Sequence, residues 1–242
     1  MAAIVRAARA TNSGSAAVTT FAPALPSGAS APAAGDLLLA VACGSLAAAP
    51  TATPSGWTLI RNIADTTFHM SIYRKTAAGG DANPSWTATS RKWAGATLVV
   101  QAGTFDSATP VDAENGVAVG TTATTALATP SVTTVTDGCL LVAIFGNLGA
   151  STYTTTNTNP TMLEATDTTA SGTSPASCAM YHSGTNSVAV GSYVRNATAT
   201  VSSANGAAWL GAIRPGTAAL VGGKGQPIGT RRMRAAIRAA TW

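Results

Sequence analysis

The sequence predicts an all-β protein: a jelly-roll-like β-sandwich built from two similar halves, with a short basic C-terminal extension. Three observations carry this. Two glycine-bounded apolar runs, residues 35–44 (GDLLLAVACG) and 137–146 (DGCLLVAIFG), have the length and boundaries of strands buried on both faces. Further segments echo one another in the same order: 54–60 (PSGWTLI) with 159–164 (NPTMLE), 70–73 (MSIY) with 180–182 (MYH), and 93–100 (WAGATLVV) with 205–213 (NGAAWLGAI). Thr, Val and Ser fill the intervening stretches and Gly, Asn and Pro punctuate them, which is strand and turn chemistry. A repeat of about 100 residues is too long for a solenoid or a propeller blade. It suits two half-sandwiches, or two sheets sharing one core.

The elements follow in order. Residues 1–10 form a small basic arm, strand or loop, carrying Arg6 and Arg9. Val18 and Phe21 anchor an edge strand, and Pro23, Pro26 and Pro32 turn the following stretch into loop. Residues 37–43 are the first buried strand, and the Pro-rich loop 47–56 delivers the strand 57–61. Phe68, Met70 and Ile72 alternate with His69, Ser71 and Tyr73, the period of a half-buried strand. Residues 77–84 turn, Trp86 opens an outward strand, and 96–101 is again buried. Residues 106–116 link the halves. The second half then offers strands near Val119 and Val132, at 139–145, along the alternation Val188, Val190, Ser192, Val194, and at 198–202 and 209–213; 146–160 and 171–175 are polar loops. This makes roughly a dozen strands and no helix before Thr217.

The domain organisation is therefore an arm at 1–10, a sandwich at 11–216 with halves at about 11–105 and 115–216, and a tail at 217–242. The tail begins with a Gly-rich linker at 222–229. Thr230 caps a short helix over 231–240, on which Met233, Ile237 and Ala240 share one face and Arg231, Arg234 and Arg238 another. So short a helix is marginal alone in water and needs a surface to dock on. The expected docking set is Arg231, Arg232, Met233, Arg234, Ile237 and Arg238.

Composition narrows the function. The 242 residues are 46% apolar and only 10% charged, with a net charge of +5. A surface coated in Thr and Ser suits an assembly or an extracellular setting better than a highly charged cytosolic enzyme; a GC-rich genome would produce the same bias. Residues 11–216 hold seven Lys or Arg against all nine acids, so the basic character belongs to the two ends. That weighs against specific nucleic-acid binding by the body. Cys43, Cys139 and Cys178 cannot form a closed disulfide set, and the first two read as small buried hydrophobes. The N-terminus has no long apolar region of the signal-peptide kind, and residues 37–49 are too short and interrupted to span a bilayer.

No catalytic constellation is visible, and no cofactor or metal is expected. His69 and His182 fall in matching repeat segments and read as exposed strand residues or packing groups rather than as general bases. Nucleophile-elbow, zinc-protease and phosphate-loop motifs do not occur. Asp106, Asp112 and Glu114 lie close in sequence and would suit a calcium ion if folding gathered them; a solvated linker is the preferred reading. Trp57 and Trp209 sit in strand-like segments and belong to the core. Trp86 and Trp93 flank Arg91 and Lys92 and read as surface rings able to stack on a sugar.

The order of segments carries a resemblance. Residues 35–39 (GDLLL), 54–59 (PSGWTL), 73–77 (YRKTA), 110–113 (PVDA), 130–134 (PSVTT), 137–142 (DGCLLV) and 209–215 (WLGAIRP) resemble a family of β-sandwich modules. These modules occur in tailed-phage structural proteins, often called minor tail proteins, and in some bacterial surface proteins. The resemblance covers residues 11–216 and rests on packing and turn motifs. It implies a non-enzymatic virion component with no catalytic residues, tail-associated or decorating the capsid exterior. The expected partners are other virion structural proteins and further copies of the chain, engaged through the basic termini. The alternative is a carbohydrate-binding module that recognises host surface glycans on Trp86 or Trp93. A hydrolase would need a carboxylate pair assembled by folding from Asp106, Asp112 and Glu114.

Overall fold

The computed structural model describes residues 2–120 and 122–217. The first half supplies β1 (Val5–Asn12), β2 (Val18–Phe21), β3 (Leu37–Gly44), β4 (Thr58–Ala64), β5 (His69–Thr76), β6 (Trp86–Arg91) and β7 (Trp93–Val100), with one 3-10 turn at Gly28–Ser30. The second supplies β8 (Val111–Ala118), β9 (Thr124–Ala128), β10 (Val132–Thr134), β11 (Leu140–Leu148), β12 (Tyr153–Thr154), β13 (Leu163–Thr169), β14 (Ala176–His182), β15 (Gly191–Tyr193), β16 (Asn196–Ser203) and β17 (Gly206–Ile213). The all-β expectation holds.

Two five-stranded antiparallel sheets form the centre, in the orders β1-β7-β3-β5-β4 and β13-β14-β11-β17-β8. Read in reverse, the second is the first: β8, β17, β11, β14 and β13 stand where β1, β7, β3, β5 and β4 stand. Outside them lie β2-β6 and β12-β16-β9. First strand pairs with last and second with second-last, the nested pairing of a rolled-up hairpin. The ribbon β10-β15 has no counterpart among the described residues of the first half.

The bulges match as well. Arg6 is the extra residue of β1 opposite β7, and Asp112 that of β8 opposite β17. Ile60 is the extra residue of β4 opposite β5, and Ala165 that of β13 opposite β14. A bulge leaves one residue out of the ladder and re-aims it. Ile60 and Ala165 both pack against the central core. Gly35 and Gly138, which precede the two core strands, share a positive φ of 86° and 85°. This register corrects the echo read from sequence at one place. Met70 corresponds to Cys178 and Ile72 to Met180, so His69 corresponds to Ser177 and His182 to Arg74. The two histidines are not equivalent.

The two sheets pack face to face with β3 over β11. Their inner faces share one core that includes Leu39, Val41, Met70 and Ile72 from one sheet and Val142, Ile144, Met180 and Trp209 from the other. Their outer faces carry two further cores, under β2-β6 and under β12-β16-β9. Every residue of β3, β7 and β17 is buried, as are the first eight of β11. This double burial explains why the core strands read as unbroken apolar runs. Each fully buried large aliphatic side chain contributes about 1.5–3 kcal/mol.

The halves are related by a local two-fold. Edge β1 lies beside β13, where Asn12 Nδ2 donates to Thr168 Oγ1 at 3.0 Å. The equivalent edges β4 and β8 are joined by Arg61, which donates to both carboxylate oxygens of Glu114 at 2.7 and 2.8 Å. Trp209 Nε1 donates to the same carboxylate at 2.7 Å. Self-complementary contacts of this kind define an isologous interface.

The separate N-terminal arm is a correction. Residues 5–12 are an edge strand of the first sheet, paired with β7 from end to end. Arg6 meets the fully buried Asp36 carboxylate at 2.9 Å, which also accepts from the Ala33 and Ala102 amides at 2.8 Å. A basic segment belongs in the sheet once its charge has a buried partner. The tail residues Arg231, Arg232, Met233, Arg234, Ile237 and Arg238 lie outside the described residues. No helix among the described residues is long and apolar enough to cross a membrane.

Where the sheets cross, Gly146 faces Cys43, its own counterpart in the register. A Cβ on Gly146 would lie 2.9 Å from Phe68 Cζ, 2.9 Å from the Ser177 carbonyl oxygen and 3.1 Å from Cys43 Sγ. Gly146→Ala is expected to lower the unfolding free energy by about 2 kcal/mol, the middle of the overpacking range. Chemical denaturation of the two proteins checks this.

Candidate functional site

Trp86 and Trp93 are fully buried, which corrects their assignment as a sugar-stacking surface. Trp93 stacks on Phe21 at 5.4 Å and 3°, and its Nε1 donates to the Val18 carbonyl at 3.2 Å. Trp86 packs against Tyr73 at 5.1 Å and Trp57 at 6.5 Å. The neighbouring charges misled. Arg91 turns inward over the Trp93 ring, with Cζ 5.0 Å from its centroid, and donates to the carbonyls of Leu46, Ala48 and Thr89. A guanidinium whose donors find loop carbonyls can be buried without a carboxylate.

His69 completes this centre. Its Nδ1 lies 3.1 Å from Arg91 Nη1 and 3.2 Å from the Leu46 carbonyl, and its ring meets Trp93 edge-on at 5.6 Å. Burial first, and the Arg91 charge second, lower its pKa to about 4. Its Nε2 is buried without a partner. The imidazole is thus held neutral as a packing group of the core. The counterpart Ser177 sits in a different network: the hydroxyls of Ser177 and Tyr153 meet at 2.5 Å and both reach Asn147 Oδ1.

The acidic trio is dispersed among separate structural tasks. Asp106 accepts from the Ala108 and Thr109 amides and the Thr109 hydroxyl, bonds that hold its pKa below the usual value. Burial pushes the Asp112 carboxyl up. Bonds from Thr136, Val135 and Arg214 outweigh that and leave it lowered. Glu114 holds Arg61 and Trp209. Among the described residues no group of three or more His, Cys, Asp or Glu is placed to hold a metal ion. The raised carboxyl is one that sequence reasoning missed. Asp167 on β13 is pushed up to about 6, chiefly by burial. One of its oxygens accepts from the Tyr153 amide at 2.9 Å and the other is buried without a partner. All three cysteines are buried and form no disulfide.

Two surface features remain. The ribbon β10-β15 pairs Thr133 with Ser192, and their exposed hydroxyls meet at 2.7 Å. Val135, Val190 and Val194 lie two residues from this pair, so strand alternation turns them outward with it. They are 68%, 57% and 42% exposed, while Val132 and Thr134 of the same ribbon are buried. The described chain ends close by. Arg214 binds Asp112, which also holds the Val135 and Thr136 amides, and Gly216 donates to the Thr104 carbonyl at 3.0 Å.

The second feature is a cleft between the halves, lined by Thr58, Arg74, Thr76, Ser107 and Ala108. Sequence reasoning also missed Arg74, although the signal was present. It occupies the next inward position after Phe68, Met70 and Ile72.

This geometry defines an all-β sandwich protein. No protein-family model, curated protein or solved structure matches the chain.

The two perturbed groups oppose one another in acid. His69 has a lowered pKa, so the unfolded chain binds the extra proton and stability is lost as pH falls from 6.5 toward 4. The slope is at most about 1.4 kcal/mol per pH unit. His182, also lowered by burial, adds in the same sense just below 6.5. Asp167 has a raised pKa, so the folded chain binds the proton and stability is gained as pH falls from about 6 toward 3.8. Asp167→Asn should therefore steepen the loss between pH 6 and 4, and His69→Gln should flatten or reverse it. Urea denaturation at half-unit pH steps measures both slopes.

Proposed function

We propose that the protein is a non-enzymatic structural component of a phage particle, tail-associated or decorating the capsid exterior. In this reading the basic C-terminal segment of one copy docks on the β10-β15 ribbon of a neighbour. The observation that carries it is the ribbon's outward face. Three exposed valines flank the strands of a ribbon that, among the described residues, only the second half possesses, near the point where the described chain ends.

Charge and pattern agree with this pairing. The described residues hold nine Lys or Arg and nine Asp or Glu, so the whole net charge of +5 falls on residues 218–242. On docking, Met233 and Ile237 would meet the valines, and Arg231, Arg234 and Arg238 would supply charge opposite to the exposed Asp137 beside Val135. A contact this small is weak singly, because ordering the segment costs much of the gain. Repetition around a particle raises the effective concentration to the order of mM and makes weak contacts sufficient. The resemblance to phage β-sandwich modules and the Thr- and Ser-rich surface support the same reading. Glycan recognition on Trp86 or Trp93 has no exposed ring to rest on.

Ending the chain after Thr217 is expected to leave the thermal transition of the body unchanged. It should lower incorporation into particles about tenfold, the equivalent of some 1.4 kcal/mol per copy. Val135→Ser with Val190→Ser should reproduce the loss with the tail intact. Quantitative mass spectrometry of purified particles reads both. Normal incorporation of the truncated chain would remove the docking role.

A further inference from the structure

Arg74 pairs with Leu39 of β3 and Thr58 of β4. Leu39, Met70 and Ile72 belong to the central core, so Arg74 stands where that core opens to solvent at the junction of the halves. The opening is a cleft of two joined lobes, about 410 and 280 Å³. Arg74, Thr58 and Ala108 line both lobes, and Thr76 and Ser107 line the larger. Clefts of a few hundred Å³ suit small ligands.

Arg74 differs from the other cations in lacking a partner. Among the described residues every other Lys and Arg makes an ion pair or a hydrogen bond, from Arg6 on Asp36 to Arg214 on Asp112. Arg74 makes none, although it is only partly exposed. The nearby acids are already engaged: Asp81 holds Lys75, Asp106 caps its own turn, and Asp112 holds Arg214. The side-chain hydroxyls of Thr58, Thr76 and Ser107 likewise make no hydrogen bond to other described residues. A guanidinium has five donors in a planar fork that matches a carboxylate or phosphate edge. Three hydroxyls beside it can serve the hydroxyl groups of the same ligand.

We propose that this cleft binds the oxyanion of a small polyhydroxylated ligand, a carboxylate or a phosphate, with Arg74 as its forked anchor. The site exists once per chain. The equivalent position in the second half is His182, which accepts from the Gly184 amide through Nδ1 and is kept neutral by burial. The residues that line the site belong neither to the tail nor to the ribbon, so the proposal stands or falls apart from the assembly role.

The test is an amide-resolved NMR titration of the full chain. The probes are sodium glucuronate and glycerol 3-phosphate, with glucose and glycerol as their uncharged counterparts. At least one anion is expected to shift the amides of Thr58, Arg74, Ser107 and Ala108 saturably, with a dissociation constant on the order of 1 mM. The uncharged counterpart should not. Arg74→Gln should weaken binding at least about tenfold, and Arg74→Lys, which keeps the charge but loses the fork, should fall between. Because Arg74 bonds to nothing in the body, both variants should keep the parent melting temperature. Which anion binds identifies the ligand chemistry. Three results overturn the proposal: no shift with either anion up to about 50 mM, well above that constant; equal shifts from an uncharged counterpart; or unchanged binding by Arg74→Gln.

Discussion

Double-sided burial of the two central sheets is the constraint on which the rest of this structure depends. A sheet covered on both faces cannot leave backbone or side-chain polar groups to water, so its strands must be apolar and its ladder complete. β3 and β11 meet that demand with eight and nine residues of almost purely aliphatic and small character. Most polar groups that do enter are matched to partners, His69 Nε2 and one Asp167 oxygen being exceptions. Asp36 takes an arginine and two amides, Glu114 an arginine and an indole, and Asn147 two hydroxyls. Close approach of the sheets then requires small residues at the crossing. Gly146 admits Phe68 and Cys43 there, and at the β4-β8 edge Gly116 admits Ile63.

The local two-fold shows which features belong to folding and which to something else. Strand order, nested pairing, bulge positions and the glycines before the core strands recur in both halves, and recurrence under different side chains marks a backbone requirement. The bulges at Arg6 and Asp112 illustrate it. Each carries an ion pair, with the charges exchanged: arginine to Asp36 in one half, aspartate to Arg214 in the other. The backbone device is kept and its chemistry is free to vary. Departures from the two-fold are therefore informative. The β10-β15 ribbon, and an unpaired arginine where the other half has a neutral histidine, are asymmetric and present side chains to solvent. The proposed assembly role and the proposed anion site rest on those two places.

Most of the fold was legible in the chain. Glycine-bounded apolar runs, alternation at Phe68, Met70 and Ile72, and echoed segments led to strands, two halves and a shared core. The register of the echo was less secure, because short segments of Ala, Val, Ser and Met align nearly as well two residues apart. Only ladder partners distinguish Met70 opposite Cys43 from the alternatives. The surface was least legible. Arg91 beside Trp93 looks like a solvated face in one dimension, yet the loop carrying Leu46 and Ala48 folds over it and supplies the carbonyls that let it be buried. Arg74 was the reverse case: its inward position followed from alternation, but nothing in the chain told that the core ends there.

Sequence alone determined what each strand needs on its two faces, because the two-residue period of a strand and the reach of glycine are local properties of the backbone. It determined the number of halves, the core strands, the burial of Cys43 and Cys139, and the concentration of basic charge at the ends. Tertiary structure decided which segment covers which face. That made Trp86 and Trp93 interior, drew residues 5–12 into the first sheet, separated Asp106, Asp112 and Glu114 onto different partners, and left Val135 and Arg74 uncovered. Exposure is a property of a residue's distant neighbours, and the neighbours are brought by the fold.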